Sequence, residues 1–155
     1  MLRHADLSML AGGSLPAADT DSEIVLTRPI PFHSLCEQHL LPFYGVVHVG
    51  YVPDETQLGT SELARIVEAC ARGIQIQQRM TSRIGLWLHH QLAPRGVGVL
   101  VEAVHICMPP SRVSAVGTQT LTTAYYGSFF ENARARREFL TLTSREQTST
   151  QEENR

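Results

Sequence analysis

Residues 58–92 read as two successive amphipathic helices with strand-like stretches on both sides, and this order leaves few architectures open. In "LGTSELARIVEACARGI", Leu63, Ile66, Val67, Cys70, Ala71 and Ile74 recur at helical spacing on one face, with Ser61 as the expected N-cap. "QQRMTSRIGLWLHHQL" carries a second stripe of Met80, Ile84, Trp87 and Leu88, and Pro94 stops it. Ahead of the helices, "EIVLTRPIPFHSLC" is β-rich, but Pro29 and Pro31 mark it as an edge or irregular strand. "FYGVVHVGYVP" alternates up to Pro53 and reads as a second strand. Beyond the helices, "GVGVLVEAVHICM" alternates, placing Val97, Val99, Val101, Ala103, His105 and Cys107 on one face. "RVSAVGTQTLTTAYYGSFF" predicts a fourth strand and "ENARARREFL" a short closing helix. Two strands, two helices, two strands and a helix predict an α+β fold with an antiparallel sheet and the helices on it.

The 155 residues suffice for one domain with a real core. Residues 1–22 read as a flexible leader and 141–155 as a polar, disordered tail, so the folded unit is expected over 23–140. A net charge of −2 without any basic run argues against a nucleic-acid partner. No apolar stretch is long enough to span a membrane. The first ten residues are broken by His4, Asp6 and Ser8 and make a poor signal peptide. Cys36, Cys70 and Cys107 are an odd set, which disfavours a disulfide framework and points to a reducing, cytoplasmic location.

The chemistry concentrates in two places. Cys36 and His39 stand at the spacing of two ligands to one metal ion, with Glu37 and Gln38 between them. Cys107 would complete a Cys2His set with an open position, the pattern of catalytic rather than structural zinc. His105, on the same strand face as Cys107, is expected to point to the same site, either as a fourth ligand or as a proton carrier. C-x-x-H alone is weak, since a buried cysteine and a satisfied histidine produce it more often; "HIC" on a strand strengthens it. Cys70 belongs to an apolar helical stripe and reads as core. His89 and His90 close a helix, where a cation suits the dipole. His48 alternates with valines as a packed or edge histidine, and His33 is a weaker candidate to line the site.

"PFHSLCEQHLLPFYGVVHVGYVP", "LGTSELARIVEACARGIQIQQRMT", "VEAVHICM" and "TTAYYGSFFENARARREFL" together resemble the GTP cyclohydrolase I family over about residues 23–141. The resemblance implies the tunnelling fold, in which subunits join their sheets into a barrel. It also implies a toroidal homodecamer with active sites shared between subunits. It assigns Cys36, His39 and Cys107 to zinc and His105 to catalysis beside it. Ser61 and Arg65 fall on the phosphate-binding side, and Gln77 at the base-binding end. In that family zinc lowers the pKa of a water that attacks C8 of guanine. The ring then opens, formate leaves and dihydroneopterin triphosphate forms.

The departures from the family pattern cluster on substrate-reading positions. Gln38 replaces a catalytic histidine in C-E-H-H, and Glu62 stands where the family has a lysine. Gln78 stands where a glutamate anchors the purine; Ser111 replaces a phosphate-binding arginine, with Arg112 one step later. The family's basic N-terminal helical region is largely missing. A triphosphate needs several cationic partners, and Arg65 is the one clear cation left. Glu62 has the simpler reading of a helix-start acid. The expectation is a zinc hydrolase whose substrate is a purine-like nitrogen heterocycle other than GTP, as a specialised pathway would suit. A genuine GTP cyclohydrolase I and a non-catalytic, zinc-stabilised binding oligomer are the alternatives.

Overall fold

The computed structural model describes residues 15–16, 24–108 and 119–144. Four long strands carry the architecture: β2 (Val25–Cys36), β3 (Pro42–Val52), β6 (Gly96–His105) and β7 (Gln119–Gly127). Helices α1 (Thr60–Ala71) and α2 (Gln77–Leu92) are inserted between β3 and β6. Short strands β1 (Leu15–Pro16) and β4 (Thr56–Gln57) pair with each other, and β5 (Ile74–Gln75) joins the main sheet. Helices α3 (Ser128–Glu131) and α4 (Ala133–Ser144) close the described chain.

The main sheet runs β5-β2-β3-β6-β7, antiparallel throughout except where β5 pairs with the end of β2. The prolines of β2 act as expected. Its register with β3 slips between Thr27 and Ile30, and only Leu35 and Cys36 pair on its other side. A proline has no N–H to give to a ladder, so it is tolerated at an edge or bulge.

Alternation along the strands builds a separate core on each face of the sheet. On one face Phe43, Val47, Val49 and Tyr51 of β3 and Val97, Val99, Val101 and Ala103 of β6 pack under α1 and α2. Leu63, Ile66, Val67 and Cys70 of α1, and Met80, Ile84, Trp87 and Leu88 of α2, supply the helical side of this core. Among the described residues the opposite face is covered at one end only. There Phe139 of α4 and Phe129 of α3 pack with Leu100. Gly50 and Gly98 are paired across β3 and β6 beneath Phe139, and a Cβ on Gly50 would lie 2.6 Å from its ring. The rest of that face holds a buried His48 hydrogen-bonded to Glu102 at 3.3 Å, with Tyr44 and Leu121 exposed.

Four expectations change in detail. Ser61 is not the N-cap: the cap is Gly59, and Ser61 lies inside the helix, its hydroxyl 3.4 Å from Glu62 Oε2. Cys107 is not on the strand, because β6 ends at His105 and the chain turns with Met108 N–H donating to the His105 carbonyl. The closing helix is split at Asn132, whose side-chain oxygen accepts from the N–H groups of Arg134 and Ala135. Finally, α4 runs to Ser144 with Thr143 buried, past the expected border at 140.

Candidate metal centre and cleft

Antiparallel topology brings the two sequence motifs together. The β2–β3 turn and the C-terminal end of β6 both lie beside the start of β3, because Phe43 pairs with His105. The turn is tight: Cys36 N–H donates to Leu41 O and Leu40 N–H donates to Cys36 O, both at 2.8 Å, with Leu40 in the left-handed region at φ 54°. The turn after β6 is tied to the same strand by Ile106 N–H donating to Pro42 O at 3.1 Å. As a result the ligand atoms of Cys36, His39 and Cys107 all lie within 4.8 Å of one another.

This trio fits a zinc ion. Tetrahedral Zn–S and Zn–N bonds place ligand atoms about 3.4–3.8 Å apart, inside the observed limit. Two thiols and an imidazole form the borderline-soft donor set that suits zinc. Burial raises the Cys107 thiol pKa, and a hydrogen bond and charge interaction with Cys36 raise it further. Such a thiol gives up its proton when a cation arrives, which links metal uptake to proton release.

A cleft of about 330 Å³ opens beside the trio. The β2–β3 turn contributes Gln38 together with Cys36 and His39, and the β5–α2 junction contributes Gln75, Ile76, Gln77 and Gln78. His105, Cys107 and Met108 form a third wall, and Thr120 and Thr122 of β7 a fourth. The His105 ring stacks on Phe43 with centroids 4.6 Å apart and planes 2° apart. Burial lowers the pKa of His105, since an imidazolium loses hydration there. Its Nε2 lies 2.7 Å from Gln77 Oε1. Gln77 is buried, and its Nε2 donates to Thr120 O at 2.9 Å and to Thr122 Oγ1 at 3.1 Å. Gln78 is exposed, with its Nε2 3.4 Å from Thr123 O. Gln75 is held from behind, its Nε2 donating to Arg72 O and its Oε1 accepting from Arg83.

The structure therefore gathers Cys36, Gln38, His39, Gln77, Gln78, His105 and Cys107 around one cleft. Ser61, Glu62 and Arg65 sit on the first half of α1 and are not among its lining residues. Glu62 folds back over Gly59, beside the first turn of the helix, as its simpler reading expects. Ser111 and Arg112 lie outside the described residues. His33 lines a different groove, between β2 and α1. Cys70 is fully buried as expected, and all three cysteines are free. Sequence reasoning did not find Thr120 and Thr122. Their signal was two hydroxyls at strand spacing in "TLTTAYY", next to the apolar Ala124 of the same face.

An antiparallel sheet with two helices on one face and a Cys2His trio at its end defines a tunnelling-fold protein with a metal-competent cleft. The apo archaeosine synthase QueF-Like shares the fold, with a TM-score of 0.53 and 19% identity over 72% of this chain and 98% of that one. The chain belongs to the GTP cyclohydrolase I family, whose model matches residues 8–144. It is 45% identical over 123 residues to GTP cyclohydrolase 1 of Campylobacter lari, covering 79% of this chain and 65% of the relative. It is 46% identical over 120 residues to the human GTP cyclohydrolase 1, covering 77% and 48%. The chain thus spans about half to two-thirds of the length of these relatives. Among the described residues no helix is long and apolar enough to cross a membrane.

Proposed function

We propose that this chain is a zinc-dependent hydrolase that adds water to a ring carbon of a purine-like nitrogen heterocycle, and that its substrate is not GTP. One observation carries the second part. The cleft beside Cys36, His39 and Cys107 is lined by the His105 imidazole, amides, hydroxyls and apolar groups, and no lysine or arginine is among its described lining residues. Such walls suit a neutral planar ring with both donors and acceptors on its edge, whereas a triphosphate needs several cationic partners.

Cys36, His39 and Cys107 would hold the zinc, which when bound supplies a water of lowered pKa. Gln38 and Gln78 orient the heterocycle by hydrogen bonds. Gln38 cannot titrate near neutral pH, so the proton work falls to His105. Ile76 and Met108 give the cleft an apolar wall for the ring to lie against. Ser61, Glu62 and Arg65 would form the far wall, supplied across a subunit boundary in a homo-oligomer, expected to be a decamer, with Arg65 as its one cation. In that wall Glu62 opposes phosphate: like charges about 4 Å apart cost roughly 1 to 4 kcal/mol near a surface. The free cysteines suit a cytoplasmic setting.

Formate release from GTP, measured on protein of known zinc content, tests the reading. The expected rate is far below about 1 per second, the lower end of ordinary enzyme turnover. A rate at or above that value would instead establish a genuine GTP cyclohydrolase I, the reading that the 45–46% identity to enzymes of that name favours.

A further inference from the structure

We infer that Gln77 is a positioning residue: it fixes His105 as the tautomer protonated on Nε2, so that the ring's lone pair lies on Nδ1. Every donor in the chain of hydrogen bonds between α2, β6 and β7 has one consistent place. The carbonyl of Thr120 can only accept, and it lies 2.9 Å from one end of the Gln77 amide. The carbonyl of Val101 lies 3.4 Å from the same end. That end is therefore the NH2 group, and the oxygen faces His105.

The hydroxyls agree without further choice. Thr81 Oγ1 is 2.8 Å from the Gln77 main-chain carbonyl, which again only accepts, so Thr81 spends its one hydrogen there. Thr122 Oγ1 lies 2.7 Å from Thr81 Oγ1 and must then be the donor of that pair. With its hydrogen so used, Thr122 is left as an acceptor, and the second N–H of Gln77 reaches it at 3.1 Å. The remaining contact is Gln77 Oε1 with His105 Nε2 at 2.7 Å. An amide oxygen cannot donate, so the hydrogen sits on Nε2. A neutral imidazole has one N–H, which leaves Nδ1 bare. Turning the amide over would set its oxygen against the carbonyls of Thr120 and Val101, which cannot donate.

Both N–H groups of Gln77 are thereby committed inside the chain. The remaining lone pair of Oε1 is what Gln77 still offers to a ligand in the cleft. Its part is to decide which nitrogen of His105 takes a proton. The catalytic meaning of this rests on the hydrolase reading above; the test does not.

Nitrogen-15 NMR of histidine-labelled, zinc-loaded protein reads the tautomer directly, with no substrate present. The native protein is expected to show His105 as a single form, protonated on Nε2 and bare on Nδ1. Gln77→Met keeps the length and removes both ends of the amide. It is expected to release the ring into a mixture of the two tautomers. A native His105 protonated on Nδ1 overturns the inference. So does a Gln77→Met protein that keeps one fixed Nε2–H form. The native spectrum alone remains decisive should Gln77→Met not fold. Absent GTP turnover or a different metal would count against the proposed function and leave the tautomer assignment standing.

Discussion

Replacing Phe139 by alanine separates the two cores of this protein. Phe139 is fully buried, with its ring edge-on to Phe129 at 5.9 Å and to Tyr125 at 6.3 Å. Large-to-small changes at buried phenylalanines cost about 3–5 kcal/mol, depending on how well neighbours close the gap. Here the floor beneath the ring is Gly50 and Gly98, which have no side chains to move into it. The two edge-on aromatic contacts are lost as well, each worth roughly 0.5–1.5 kcal/mol beyond its area. The expected cost is therefore about 4–5 kcal/mol, at the upper end of the range. At roughly 2–4 °C per kcal/mol for a chain of this size, the melting temperature should fall by about 8–20 °C. The metal trio and its cleft lie on the other core's side of the sheet, so zinc stoichiometry should stay at one per chain under native conditions. Thermal denaturation followed by circular dichroism, with elemental analysis of the same samples, reads both outcomes. A melting temperature within about 2 °C of the parent, or loss of zinc from the folded variant, would refute the two-core reasoning.

Elemental analysis should find one zinc per chain, and Cys107→Ala should abolish it and lower the melting temperature, because a bound metal adds to folding stability. Cys70, buried with its thiol pKa pushed up to about 11, should resist thiol reagents until the protein unfolds, whereas Cys36 and Cys107 should react once a chelator removes the metal. Gln78→Glu should move ligand preference toward guanosine and away from inosine by calorimetry, since a carboxylate accepts from both donors of the guanine edge and an amide leaves one donor facing another, at about 1–3 kcal/mol. Light scattering should give a homo-oligomer larger than a dimer, and a mass of one 17.2 kDa chain across a concentration series would exclude that.

Much of this was legible before any coordinates. The stripes of α1 and α2 follow from spacing, because each helix buries a single face against one sheet. Cys36, His39 and Cys107 could be paired because close spacing within a motif survives folding, and a strand end adjoins a hairpin turn in few ways. What escaped depends on neighbours remote in sequence. Ser61 reads as a cap by residue type, yet the chain enters the helix two residues earlier, where Gly59 carries the extended backbone. Cys107 continues the alternation of β6 on paper, but the ladder ends at His105 where β3 begins. The burial of Gln77 is set by Thr120 and Thr122, more than forty positions away. Nothing in "QIQQR" distinguishes the glutamine that is locked inside from the one that is exposed.

The strand that supplies those threonines lies at one edge of the main sheet. One rail of β7 is fastened to β6, while the other meets no partner strand among the described residues. A histidine's protonation pattern is thus anchored to an edge strand of the scaffold. A neighbouring copy seated on that free rail, as the proposed oligomer would provide, would brace the strand and so sharpen the acid–base definition of the cleft. Assembly would then act on chemistry through stiffness, and dilution would blur the site before it emptied it.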